Sequence, residues 1–251
     1  MTEITTSTAK RAPRKLPVLL ASAIAFAILV GLGTWQVQRL HWKEALIESI
    51  ESRTTSAPKP LQEIESQLAE TGDVDYQPVI VKGTFEHSGE RHFFTTWDGD
   101  SGFNVYTPLR LEDGRYIFVN RGFVPYDMKD PAKRAEGQVA GPVEITGLAR
   151  NRLHAKPGSF VPENDIAKNI FYWKDLDAMA ASSGLPADTN VLQFFIDAND
   201  APNPGGWPHG GVTIIDLPNS HLQYAVTWYG LAAALAGVVG VWLYRQRAAR
   251  S

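Results

Sequence analysis

The chain has 251 residues, with 24 Lys and Arg against 27 Asp and Glu, a formal net charge of −3 and no cysteine. The missing thiols exclude disulfides, thiolate metal centres, thiol nucleophiles and a CxxCH haem attachment. The charge is unevenly spread: residues 39–223 hold 17 basic and 26 acidic residues, an acidic balance that argues against nucleic-acid binding.

Lys10, Arg11, Arg14 and Lys15 precede an uncharged apolar run, Leu16 to Gln38. A second such run, Tyr224 to Tyr244, is followed by Arg245, Arg247 and Arg250. Each is long enough for a helix of about 20 residues across a hydrocarbon layer of roughly 30 Å. Basic residues on both outer flanks predict cytoplasmic tails at 1–15 and 245–251, with 39–223 on the far side. The first run is too long for a cleaved signal peptide and only 15 residues precede it, which favours an uncleaved anchor in a bacterial inner membrane.

Helical character continues from Trp35 through Ser52, and Thr54 to Pro60 breaks it. Leu61–Glu70 reads as an amphipathic helix stopped by Gly72. Strand signals follow over Gln77–Phe85, Arg91–Trp97, Phe103–Leu111, Arg115–Val124, Val143–Leu148, Val191–Asp197 and Val212–Leu217. Glu112-Asp113-Gly114 marks a tight hairpin, Tyr126–Gly137 a loop with a helical piece, Tyr172–Ser183 a short helix, and Ala201–Gly211 a long turn. The fold class expected is α+β: two transmembrane helices, near the N- and C-termini, flanking a mainly antiparallel β domain in the periplasm.

Enzyme signatures are missing: there is no GxSxG, HExxH, GxxxxGK[ST] or GxGxxG, and the chain reads as a non-enzyme. The six histidines are scattered, with no His-x-His pair for copper. His87 and His92 flank a Ser-Gly turn and are expected at the surface, and Asn120-Arg121-Gly122-Phe123 reads as a strand end with a glycine turn and a buried Phe. The membrane boundaries are richer. Trp35, Gln38, Arg39 and Trp42 share one helical face, and His221, Tyr224, Ala225, Trp228, Ala232, Leu235 and Val239 share another. One reading is an aromatic belt with snorkelling cations, which the residues alone favour. The other is a pocket for a flat, apolar, anionic ligand, with Arg39 or Lys43 meeting carboxylates and His221 ligating a metal. Gly31, Gly33, Gly230, Ala234 and Gly237 would let the helices approach closely.

The segment from Gly33 to Lys43 (GTWQVQRLHWK) resembles the first anchor of the Surfeit locus protein 1 family. Thr107–Arg115 (TPLRLEDGR) with Val119–Pro125 (VNRGFVP) resembles its central signature, and Asn219–Ala232 (NSHLQYAVTWYGLA) its second anchor. The resemblance runs from about Val30 to Arg247 in one order. It implies an assembly factor for haem–copper cytochrome c oxidase that holds haem a or helps insert it into the largest oxidase subunit. That subunit, haem a synthase and the membrane are the partners implied, and no nucleic acid. The family's haem-ligating histidine falls on His221, the only metal ligand expected, and its Trp and Arg fall on Trp35 and Arg39; Tyr224 and Trp228 complete the expected cofactor-binding set. With the resemblance, the pocket overtakes the belt. The rival reading is a cofactor-free membrane scaffold that binds oxidase subunits during biogenesis.

Overall fold

The computed structural model describes residues 15–186, 188–213 and 217–248. The chain divides into two compact units: residues 1–48 with 216–251, and residues 49–215. The first contains most of α1 (Lys15–Thr54) and all of α4 (His221–Ala248). Both helices are long and apolar enough to cross a membrane. Arg245 and Arg247 lie in the last turn of α4, where cations favour the negative end of the helix dipole. Lys10, Arg11, Arg14 and Arg250 lie outside the described residues.

The second unit is a seven-stranded sheet in the order β1-β2-β6-β7-β5-β4-β3. In chain order these are β1 (Lys59–Pro60), β2 (Pro78–Phe85), β3 (Arg91–Trp97), β4 (Asp100–Arg110), β5 (Tyr116–Pro125), β6 (Pro142–Asn151) and β7 (Val191–Ala198). Pairing is antiparallel except β1 with β2 and β5 with β7. A short contact between β2 and β4, Thr84 opposite Arg110 and Phe85 opposite Leu109, closes β2-β6-β7-β5-β4 into a ring. Closure removes the free edges of those strands. Helix α2 (Leu61–Thr71) contributes Leu61 and Ile64 to a core shared with Val79, Val81, Leu109, Ile117, Val119 and Ile196. Gly72 caps α2 in the left-handed conformation, its N–H bonding to the Leu68 carbonyl.

Strand β5 is buried along both faces from Tyr116 to Val124. Ile117 and Val119 point into the first core. Phe118 joins a second with Tyr106, Phe171, Phe195 and the α3 residues Leu176 and Met179, where α3 spans Leu176–Ser182. Alternation from that strand would have predicted one wet face, and the second core covers it.

Three expectations are corrected. The Asn120–Phe123 segment is the middle of β5 and not its end. Gly122 sits there at φ 121°, and a Cβ would stand 1.9 Å from the His209 carbonyl oxygen. The reason is a strap: His209 runs beside β5, with Phe123 N–H to His209 O and His209 N–H to Phe123 O both at 2.8 Å. Second, His87 and His92 are not surface residues. His92 is 4% exposed, with Nε2 3.4 Å from Glu90, and His87 is half-buried with Nε2 2.8 Å from the Val139 carbonyl. The local Ser-Gly turn is real, but the rest of the domain folds over it. Third, no strand forms at Val212, Thr213 or Leu217, because the strap leads into irregular chain there; residues 214–216 lie outside the described set.

Candidate functional site: the helix pair

The two long helices touch at two levels. At the first, His221 Nδ1 lies 2.7 Å from Gln36 Oε1. At the second, the Tyr229 ring covers Gly33, where an added Cβ would stand 2.8 Å from the ring, and Tyr229 OH is 3.1 Å from Thr34 Oγ1. Residue numbers rise along α4 as they fall along α1, so the pair is antiparallel. Ala225 and Ala232 are buried on α4, and Trp228, Leu235 and Val239 are half-buried at the same helical spacing. Of the small residues expected to bring the helices together, Gly33 does so. Gly31, Gly230 and Gly237 have open space at the Cβ position.

Gln36 is the residue the sequence reading missed. It is 9% exposed, within an otherwise apolar run. A polar amide in such a run is itself a signal, since an unpaired amide in hydrocarbon is costly and asks for a partner. The partner is the first residue of α4. With the amide oxygen facing it, Nδ1 is the donor in this contact, and Nε2 is the ring nitrogen left for another partner.

The other expected residues lie to one side of this contact. Arg39 follows Gln36 by three residues, and Tyr224 follows His221 by three. At about 100° per residue each is displaced by roughly 60° in the same rotational sense. In an antiparallel pair equal offsets fall on the same flank. Trp35 and Trp42 belong to that flank of α1, and Trp228 lies almost on the contact line of α4. Trp35, Trp42 and Tyr224 are half exposed, at 54%, 50% and 53%. Arg39 is exposed, with its guanidinium carbon 3.8 Å from the Trp42 ring centroid. The flank therefore offers aromatic surface and a cation, beside the imidazole of His221 at the start of α4. Those groups fit a planar apolar macrocycle with carboxylate substituents. Among the described residues no group of three or more His, Asp or Glu side chains could hold a bare metal ion.

Two helices long and apolar enough to span a membrane, attached to a mainly antiparallel β domain and meeting at an imidazole–amide contact, define an α+β protein with two candidate membrane anchors. Comparison with known proteins specifies it further. The SURF1 family model matches residues 23–233. The rat Surfeit locus protein 1 is 41% identical over 225 residues, covering 83% of this chain and 70% of that protein. The mouse protein is 42% identical over 233 residues, with 86% and 71% covered, and the human protein 41% over 221 residues, with 81% and 70% covered. The chain belongs to the SURF1 family.

Proposed function

We propose that this chain is an assembly factor for cytochrome c oxidase that carries haem a on the exposed flank of its helix pair. The SURF1 family is one of oxidase assembly factors. The observation that supports the finer reading is the 2.7 Å bond between Gln36 and His221. With the Gln36 amide oxygen as acceptor, that bond would hold the imidazole with Nδ1 protonated and leave Nε2 as the nitrogen that could ligate the iron. Trp35, Tyr224 and Trp228 would cover the macrocycle, and Arg39 would pair with propionates at the water interface. Haem supplies the redox-active iron and the colour by which binding is read. A single protein nitrogen suits a carrier, which must release its cargo to the largest oxidase subunit, and haem a synthase is the donor this reading implies. No step of covalent chemistry is assigned to the chain. The helices cross the bacterial inner membrane with 1–15 and 245–251 cytoplasmic, and the β domain is periplasmic, on the charge bias of the flanks.

The test is the visible spectrum of the full chain purified from cells that make haem a. The wild type should show a Soret band. His221→Ala should abolish or shift it, His41→Ala should change it less, and His87→Ala should leave it intact. Arg39→Gln should lower haem content with the band position kept, since it acts on propionates and not on iron. A normal band in His221→Ala overturns the ligand assignment. A colourless wild type overturns the carrier and leaves a cofactor-free scaffold for oxidase subunits.

A further inference from the structure

Strand β5 is covered on both faces, and the arginine within it is almost wholly buried. Arg121 is 3% exposed. Its NH2 donates to the Gly137 carbonyl and, at 3.5 Å, to Asn203 Oδ1. NH1 lies 3.4 Å from His87 Nδ1, and the guanidinium carbon lies 4.8 Å from the Phe85 ring centroid. All these partners are neutral. Among the described residues no carboxylate forms an ion pair with it. The nearby buried carboxylate, Glu90, is taken by Arg134 and His92. Arg91, also buried, donates to the Glu90 main-chain carbonyl and to Ser182 Oγ. Three buried arginines thus share one carboxylate. Burial pulls Arg121 down to about 10; the charge of Glu90 offsets part of this and the charge of Arg134 adds to it. Holding a guanidinium out of water with no carboxylate in contact is costly, and ionisable groups perturbed in this way cluster at binding sites.

Arg121 also lines a cleft of about 260 Å³. Phe85, Val143, Ile145 and Pro202 supply its apolar surface. On the same lining, Thr146 Oγ1 and Asn199 Nδ2 make no hydrogen bond within the described chain. The acidic side chain of the lining, Glu144, pairs with Lys82 at 3.1 Å, both in water. The volume lies just below the roughly 300–1,000 Å³ usual for small-molecule sites. It has room for a carboxylate and one aliphatic side chain beside it.

We infer that this cleft binds an acidic, aliphatic peptide segment of a partner protein, the carboxylate of a Glu or Asp meeting Arg121 and a neighbouring aliphatic side chain filling the apolar walls. Charge complementarity selects the carboxylate: one anion neutralises the buried cation and replaces the long contact to Asn203 with a charge-assisted one. The free Thr146 and Asn199 groups select a peptide over a free acid, because they offer an acceptor and a donor to a backbone amide. The site lies wholly within the β domain and stands independently of the haem reading.

The experiment uses the full chain in detergent, calorimetric titration, and the Arg121 side-chain nitrogen resonance assigned by its loss in Arg121→Gln. The probes are acetyl-Ala-Leu-Glu-Leu-Ala-amide, its Gln counterpart, and N-acetylleucine. The Glu peptide should bind saturably and shift the resonance. The Gln peptide and N-acetylleucine should each bind about tenfold more weakly or less, the loss expected for one hydrogen bond to a charged group. Arg121→Gln should remove the preference for Glu over Gln. Thr146→Phe, which fills the cleft and keeps the arginine, should block the peptide in a normally folded protein, and it decides the matter if Arg121→Gln does not fold. Equal binding of the Glu and Gln peptides, binding that survives Thr146→Phe, or no saturation at millimolar peptide overturns the proposal. Binding of N-acetylleucine as tight as the peptide overturns the peptide assignment in favour of a free acid. Neither haem nor oxidase enters the readout.

Discussion

Replacing Gly122 by alanine tests how the strap is held against β5. At φ 121° the backbone lies in a region open essentially to glycine, and a side chain there costs about 1–3 kcal/mol. The added Cβ would also stand 1.9 Å from the His209 oxygen, so the strap must leave. That gives up the two 2.8 Å main-chain bonds between Phe123 and His209, about 0.5–1.5 kcal/mol each. The expected loss is about 2–6 kcal/mol of β-domain stability. Urea unfolding of the full chain in detergent, followed by tryptophan fluorescence, measures it. Trp97 is a local reporter, since its ring lies 4.6 Å from the His209 ring in the native protein. Gly114→Ala is the control: φ is 84° there, but nothing lies within 4 Å of the added Cβ, so only about 1–2 kcal/mol of backbone strain should appear. A Gly122→Ala loss no larger than the Gly114→Ala loss refutes the steric argument.

The β domain should weaken as pH falls from neutral, because burial holds His87 and His92 below the usual 6.5. Below 6.5 the unfolded chain takes up protons that the folded one refuses, with a slope of up to about 1.4 kcal/mol per pH unit per histidine. Glu90 and the cations Arg121, Arg134 and Lys129 are the charged groups facing them, so replacing both histidines by Gln should flatten the slope. A second loss should follow below the ordinary range of Glu90, 4.5. Burial would raise that carboxyl, but hydrogen bonds from His92 and Arg134 and the Arg134 charge hold it down, and this stabilisation disappears on protonation. A flat stability profile between neutral pH and about 5 refutes the buried-histidine account. Reporter fusions after Ser251 and within 54–72 should place the C-terminus in the cytoplasm and the loop outside; a periplasmic C-terminus overturns the topology.

The anchors, most of the strands and the hairpin at Gly114 were legible in the sequence. Each rests on a local regularity: an uncharged run long enough for a bilayer, a period of two, a glycine able to take positive φ. The face of α4 was legible too, since helical spacing alone lines up His221, Ala225, Trp228 and Ala232. Everything that depended on a second element was not. Gln36 looked like one polar residue in an apolar run until α4 was laid against it and its amide met His221. His92 looked exposed because its neighbours are Ser-Gly-Glu-Arg, and only Arg134, 42 residues further on, shows that it is buried. Gly122 read as a turn because a glycine at the close of a strand pattern suggests one; the close approach of residue 209 was invisible at a separation of 87 residues. Arg121 is the clearest case. Period-two alternation leaves an arginine in a strand free to face water, and only a sheet covered on both sides turns it into a buried cation with no carboxylate in contact. Local sequence sets which backbone conformations are cheap, while burial and pairing belong to the long-range packing that brings those segments together.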